Sequence, residues 1–473
     1  MRNPEYVLNS LAAKSGDQNY KFQRIYRNLY NRQFYCLAYR KLAKKRSVKK
    51  QNQETFFRSI HQLIADLKAE RYQPEAIADS RQGRFHDSLV QEIVRMLLEA
   101  IYEGVFSNDS HGFRPRRSCH TALLQVKRDF INVNWMIHAD LHPFFSSIDL
   151  QLLRVILRKR IMDEKFIRLI NKFLRTGALN DWQFQQTYSG TPIGGIIGPI
   201  LANIYFHELD MYVKKLADPP YKGNLLPENR VEKMAKPAGR RLVYVRYGGE
   251  MLLGVNGSKR EAGIIRDQVA QFVQCQLKIP HPQEHFTVRH AGKPTRFLGY
   301  DILVKKRCKL YLPHDIWVSR LHGLKAVKTG QNGLLKPVHR SDLVKLGDPE
   351  ILSVCNAVIQ SMYNYYRLAD NASVMSRFHH FIKYSMVKTL AFKYKKSVRK
   401  IMQKYLHEGK FAVVTETDDG SELIKLYDGG FAHNSSPILQ DDVDRIPERK
   451  QDKFFERSPG MSRISEQAES RIR

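Results

Sequence analysis

The chain has 473 residues, 42% of them hydrophobic, and a formal net charge of +31. That is enough length for several domains and enough apolar content for real cores. The positive excess suits a polyanion, nucleic acid ahead of an acidic membrane surface, because neutralising phosphates releases counterions. The five cysteines are scattered and never form a C-x-x-C pair, which argues against a disulfide framework and a structural zinc site. No apolar run reaches membrane-spanning length, and "MRNPEYVLNSLAAKSGDQNY" lacks the apolar stretch of a secretory signal.

Residues 1–50 read helical, with Phe22, Ile25, Tyr26, Leu29 and Tyr30 at three- and four-residue spacing. The stretch ends in a basic run that includes Lys41, Lys44, Lys45 and Arg46. Such a run is either a solvated helix end or an RNA surface; interleaved aromatic rings favour the second, since they stack on unpaired bases. Amphipathic helices follow at 55–70 and 87–104. In "HGFRPRRSCHTALLQVKRDF", Ser118 caps a helix through Phe130, and Arg114, Arg116 and Arg117 at its entry suit phosphate contact.

"WMIHADLHPFFSSID" (135–149) reads as a strand entering a turn, with a helix near 150–176. The Gly-rich loop "SGTPIGGIIGP" precedes the helix "ILANIYFHELDMYVKKL". Residues 218–240 read as loop. "RLVYVRYGGEMLLGV" (240–254) is a hairpin turning on Gly248-Gly249, both free to reach φ > 0. A helix at 258–277 and the strand "TRFLGYDILV" complete this region. Beyond Pro313 the pattern is helical, with Asp348 as cap of one helix and a second spanning 372–405. Past 410 the chain turns polar, and the last 30 residues lack a core pattern.

Asp140 ends an apolar strand, where a carboxylate is costly unless it binds something. It either caps the next helix or holds magnesium, paired with the hairpin acid Glu250; two-metal phosphoryl transfer needs carboxylates converging from two strands.

The ordered set "HGFRPRRSCHTAL", "ADLHPFFSSID", "SGTPIGGIIGPILANIYFHELD", "YVRYGGEMLLGV", "RFLGYDI" resembles the core of group II intron-encoded reverse transcriptase–maturases. The resemblance implies an α+β right-hand polymerase: N-terminal extension and fingers (1–135), a palm with an antiparallel sheet (136–312), an all-helical thumb or maturase domain (313–410), and a degenerate or truncated DNA-binding-like tail (411–473). It makes Asp140 the first catalytic aspartate, Leu141 a carbonyl ligand of the metal, Phe145 the gate against ribose 2′-OH, and Gly190–Gly195 the loop beside primer and template. "FLGYD" (297–301) matches the primer-grip strand. The family's hairpin reads Tyr-Ala-Asp-Asp; here Tyr247, Gly248, Gly249 and Glu250 stand in its place. The essential carboxylate is a glycine, and Glu250 is a lengthened remnant.

Other departures agree: Ile193 replaces a glutamine, His285 a lysine, and the segment before "LVQ" is too short for the basic fingers hairpin. Magnesium is implied, on a weakened site. With no cysteine after Cys355, no zinc-containing endonuclease is expected. "SMYNYYRLADNASVMSRFHHFIKYSMVKTLAFKYKKSVRKI" resembles the maturase domain closely, which makes Tyr365, Arg367, Lys393, Lys395 and Lys396 RNA-binding candidates. The alternative is that the tyrosines are core. The expected partner is group II intron RNA, with DNA as a second partner through the tail and no membrane. The expected compartment is a bacterial cytoplasm or an organelle matrix. The reading is a maturase with an impaired polymerase; its alternative is an active RNA-directed DNA polymerase.

Overall fold

The architecture is given by a computed structural model, described for residues 2–45, 53–74, 81–176, 187–189, 191, 195–217, 242–417, 420–439 and 441–447. Five helices precede the first strand: α1 (Pro4–Ser15), α2 (Arg32–Lys45), α3 (Gln53–Lys68), α4 (Arg81–Tyr102) and α5 (Cys119–Asp129). α4 begins earlier than the sequence suggests and buries Leu89, Ile93, Val94, Leu97 and Ile101, one stripe at helical spacing. Ser118 caps α5 as read from sequence; its N–H is taken by Thr121 Oγ1 at 3.0 Å.

Strand β1 (Trp135–Asp140) lies in the middle of an antiparallel sheet with β2 (Leu242–Tyr247), β3 (Glu250–Val255) and β4 (Phe286–His290), in the order β2-β3-β1-β4. Both faces of this sheet are covered. Ile137, Ala139, Met251 and Leu253 join one core with α1–α4, α6 (Leu150–Arg158), α7 (Glu164–Arg175), α8 (Gly198–Ala217) and α9 (Lys259–Cys275). Met136, Val245, Tyr247 and Leu252 join a second core that extends into the C-terminal region. Side-chain alternation along each strand thus ties the sheet to both cores.

A small sheet follows, β5 (Thr295–Phe297), β6 (Tyr300–Val304) and β7 (Cys308–Tyr311), then α10 (His314–Gly323), the hairpin β8 (Val327–Thr329) and β9 (Leu335–Pro337), and helices α11 (Asp348–Tyr366), α12 (Met375–Tyr394) and α13 (Val398–Lys404). A last sheet holds β10 (Leu406–His407), β11 (Lys410–Thr417) and β12 (Gly420–Lys425).

Four expectations need correction. The helix at 150–176 is two, because Asp163 caps a new one by accepting from Phe166 N–H. The helix at 372–405 is also interrupted: Lys395 takes a left-handed conformation (φ 51°) and ends α12. The region after Pro313 is not all-helical, since β8–β9 interrupts it and β11 begins at the 410 boundary. Finally, Gly347 rather than Asp348 occupies the cap of α11, its N–H bonded to Glu350.

Candidate active site and nucleic-acid surface

The register sets Asp140 directly opposite Glu250, and Tyr247 opposite Glu250 across the turn. The two acids therefore share one face of the sheet, as a catalytic pair would. Their partners, however, lie inside the protein. Asp140 Oδ1 accepts from His142 N–H at 2.9 Å and meets His142 Nδ1 at 2.7 Å. The other ring nitrogen, Nε2, accepts from Gly249 N–H at 3.1 Å, which places the neutral ring's proton on Nδ1. His142 thus bridges the aspartate to the backbone of the turn. Burial works to raise the Asp140 carboxyl, but the hydrogen bonds from the His142 ring and backbone N–H act against it, and the group sits below its ordinary value. About half of the Asp140 side chain stays exposed.

Glu250 is buried. Its Oε1 meets His138 Nε2 at 2.9 Å and accepts from Leu298 N–H at 3.1 Å. Leu141 is taken as well: its N–H donates to Gly249 O at 2.9 Å and its carbonyl accepts from Phe144 N–H at 3.1 Å.

The two glycines have different reasons to be glycine. Only Gly248 carries a positive φ, 61°. Gly249 does not; the turn needs it for space. A Cβ there lies 2.7 Å from the His142 backbone nitrogen and 3.0 Å from a Phe145 ring carbon. Phe145 is buried against His142, with ring centroids 5.1 Å apart.

Among the described residues no group of three or more His, Cys, Asp or Glu side chains is arranged to hold a metal. A two-metal centre needs carboxylates free to converge on the ions. Here one acid is half-exposed with an oxygen held by His142, the second is pinned by His138 and Leu298, and the third position has no room for a side chain. This donor set does not fit the family's magnesium pair. Cys119, Cys308 and Cys355 are buried single thiols.

The turn is braced from below by Arg246, a residue that sequence reading missed. Arg246 and Asp210 are 1% and 0% exposed and form a two-bond ion pair at 2.7 Å. The guanidinium also donates to Gly248 O, Asn203 Oδ1 and Ser110 Oγ. A lone arginine inside "LVYVRY" was the available signal, since a buried charge demands a partner. His138 was legible too, two residues from Asp140 and so on the same face.

The RNA-binding candidates divide sharply. Arg114 is buried in an ion pair with Glu103 and donates to the carbonyls of Ser107 and Ser110. Tyr365 is core; its hydroxyl donates to Leu298 O at 2.7 Å, and its ring stacks on Tyr188 with centroids 5.0 Å apart. Lys393 is turned inward, donating to Leu346 O and pairing with Asp348 at 2.8 Å. These three are corrections, because internal partners already satisfy them. Arg117 donates to Asn108, and Arg367 is half-buried beside the chain at Asn434.

Arg116, Lys395 and Lys396 are exposed, and Lys41 is half-buried on α2. Lys44 and Lys45 end that helix with side chains outside the described residues; Arg46, Gly190 and Ile193 also lie outside them. Exposed Arg399 and Lys400 extend the Lys395–Lys396 surface. Next to it, Phe392 is 57% exposed and stacked on His339, centroids 4.3 Å apart.

Comparison with known proteins identifies the family. A family model described as reverse transcriptase (RNA-dependent DNA polymerase) matches residues 81–302, and one described as type II intron maturase matches residues 305–437. Group II intron-encoded protein LtrA of Lactococcus lactis subsp. cremoris is 30% identical, over 94% of this chain and 87% of its own length. An uncharacterized 91 kDa protein in a cob intron of Schizosaccharomyces pombe is 29% identical over 84% of this chain and 58% of its own. Nuclear intron maturase 2, mitochondrial, of Arabidopsis thaliana is 23% identical over 77% and 60%. No described helix is long and apolar enough to cross a membrane.

Proposed function

Because the chain belongs to the family of group II intron-encoded reverse transcriptase–maturases, we propose that it binds structured intron RNA and assists its splicing, while its palm is impaired as a polymerase. Binding the native RNA fold better than misfolded ones shifts the RNA population toward the native one by that difference. The RNA then performs the chemistry. The single observation that carries this reading is Gly249: the position has neither a carboxylate nor space for one. Removing one charge-stabilising donor costs roughly 3–4 kcal/mol of transition-state stabilisation elsewhere, and a metal ligand costs at least as much. The exposed cations around Lys395 and the neighbouring Phe392 supply phosphate and base contacts. The related proteins come from bacteria and mitochondria, so we place the activity in a bacterial cytoplasm or an organelle matrix.

A second reading, residual RNA-directed DNA synthesis, draws on one observation: Asp140 stays half-exposed and ionised. Primer extension on an RNA template with magnesium, then manganese, separates the two. The expected result is no processive cDNA together with tight, salt-sensitive binding of a transcribed group II intron RNA over an unstructured RNA of equal length. Robust cDNA synthesis overturns the first reading.

A further inference from the structure

Beyond β12 the chain returns to the palm as an extended strap and is hydrogen-bonded along its way. Asn434 N–H donates to Arg367 O at 2.8 Å, and Ile438 N–H to His120 Nδ1 at 3.1 Å. A short turn, Asp441–Asp444, then drives Asp444 into the interior beside the Gly-rich loop. There Asp444 collects that loop's donors. Its Oδ1 accepts from Ser189 N–H at 2.7 Å and its Oδ2 from the Ser189 hydroxyl at 2.5 Å. Its backbone carbonyl accepts from Tyr188 N–H at 3.0 Å, and Arg445 bridges to Thr187.

Backbone N–H groups and small hydroxyls on a tight loop are the donors that nucleic-acid phosphates use. A carboxylate spanning two of them has a phosphate's charge sign and acceptor geometry. Burying a carboxylate is costly. Burial pushes the Asp444 carboxyl up to about 6, with Glu250 adding to the rise and the Ser189 hydrogen bonds opposing it. The two Ser189 donors call for two acceptor oxygens, which a carboxylate or a phosphate supplies and an amide of the same shape does not, because its NH2 would face the hydroxyl.

We propose that Asp444 is an internal phosphate mimic, which docks the strap on the donors of Tyr188 and Ser189 that otherwise receive a nucleic-acid phosphate and so keeps the palm cleft closed to a primer–template duplex. The inference rests on reading this palm as a polymerase cleft, and holds whether or not the cleft retains activity. The occupant it excludes is an RNA–DNA hybrid; the intron RNA contacts proposed above lie on another surface.

The test is fluorescence anisotropy of a short RNA–DNA hybrid with a recessed 3′ end, using the full chain, beside amide hydrogen exchange at Ser189 and Ile438. Asp444→Ala is expected to speed exchange at both amides and to tighten hybrid binding about tenfold, as removal of a competing bound state does. Hybrid added to the unaltered protein is expected to expose the Ile438 amide. Faster exchange with no gain in affinity overturns the proposal, as does hybrid bound while Ile438 stays protected, or exchange unchanged by the substitution. If Asp444→Ala does not fold, Asp444→Asn, which removes the charge and one acceptor oxygen and leaves every loop donor in place, is read the same way with a gain of about threefold. Binding of intron RNA, measured in parallel, is expected to stay unchanged; its failure alone counts against the α12–α13 reading and not against the strap.

Discussion

The β2–β3 turn and the α12–α13 face treat charge in opposite ways. Around the turn every ionisable group is matched inside the fold: Asp140 with His142, Glu250 with His138, Arg246 with Asp210. On α12–α13, Lys395, Lys396, Arg399 and Lys400 face water. A charge held by an internal partner contributes to folding and is withdrawn from ligands. A solvated cation contributes little to folding and remains available to phosphate. On the function proposed above, the basic face is where a partner is met and the turn is withdrawn from ligands. The contrast also sets a rule to be broken: substitutions at the turn should change stability, and substitutions on the basic face should change affinity.

The largest effect is expected from Arg246→Ala. It leaves Asp210 buried without its cation and Gly248 O without its donor. Breaking such a pair costs about 3–5 kcal/mol, read as a lower urea midpoint. A loss under about 1 kcal/mol would mean that the turn is not braced from below.

Acid should act next, and again through the closed region alone. Burial lowers His111 and His120 to about 4 each, below the ordinary histidine value of 6.5. The folded state then binds protons more weakly than the unfolded one. The stability this gives is complete above pH 6.5 and is lost as pH falls toward 4, roughly 2 kcal/mol for each histidine by pH 5. Asp444 has the opposite sign: with its folded value raised to about 6, it regains roughly 1 kcal/mol over the same interval. Urea midpoints at pH 7 and pH 5 should differ in favour of pH 7.

A smaller loss is expected for Gly249→Ala and Gly249→Asp. Both put a Cβ 2.7 Å from the His142 nitrogen, and overpacking of this kind costs about 1–3 kcal/mol. Aspartate at this position is therefore expected to restore no cDNA synthesis in a primer-extension assay. Full recovery by that one change would show that the turn yields more easily than its packing implies.

How legible all this was depended on whether a residue's partner is near in sequence. The Ser118 cap and the β2–β3 turn follow from local pattern, the distant Asp140–Glu250 pair from the ordered motifs that resemble the family, and the turn's departure from Tyr-Ala-Asp-Asp is visible in the sequence itself. The partners of Tyr365 and Glu250 are not. Tyr365 reads as either an RNA-binding or a core ring, and only the fold shows its hydroxyl reaching Leu298, 67 residues away, in the turn that also pins Glu250. Arg114 sits in a run of three arginines, and only the fold shows that Glu103 neutralises that one. Helix breaks at Asp163 and Lys395 were lost because apolar spacing continues across them, while a cap or a left-handed residue ends the backbone pattern. Asp444 lay in a stretch with no core pattern at all; its role exists only because the strap returns to residues 187–189.

The smallest effect on stability should come from the basic face, and it is the one that decides the comparison. Replacing Lys395, Lys396, Arg399 and Lys400 together by alanine removes four exposed cations with no buried partner to strand. Lys395 carries a positive φ, so its alanine adds only a modest backbone cost, and the folding free energy should move by about 0.5 kcal/mol. Each cation withdrawn from a phosphate should lower the slope of log affinity against log salt by about 0.7–0.9. Withdrawing all four would flatten the slope by roughly three for a transcribed intron RNA. Arg114→Ala is the control from the other class: it should lower the urea midpoint by stranding Glu103 and leave the salt slope alone. If the quadruple variant keeps its salt slope while Arg114→Ala changes it, cations held inside the fold are the ones that reach RNA, and the division between the two regions fails.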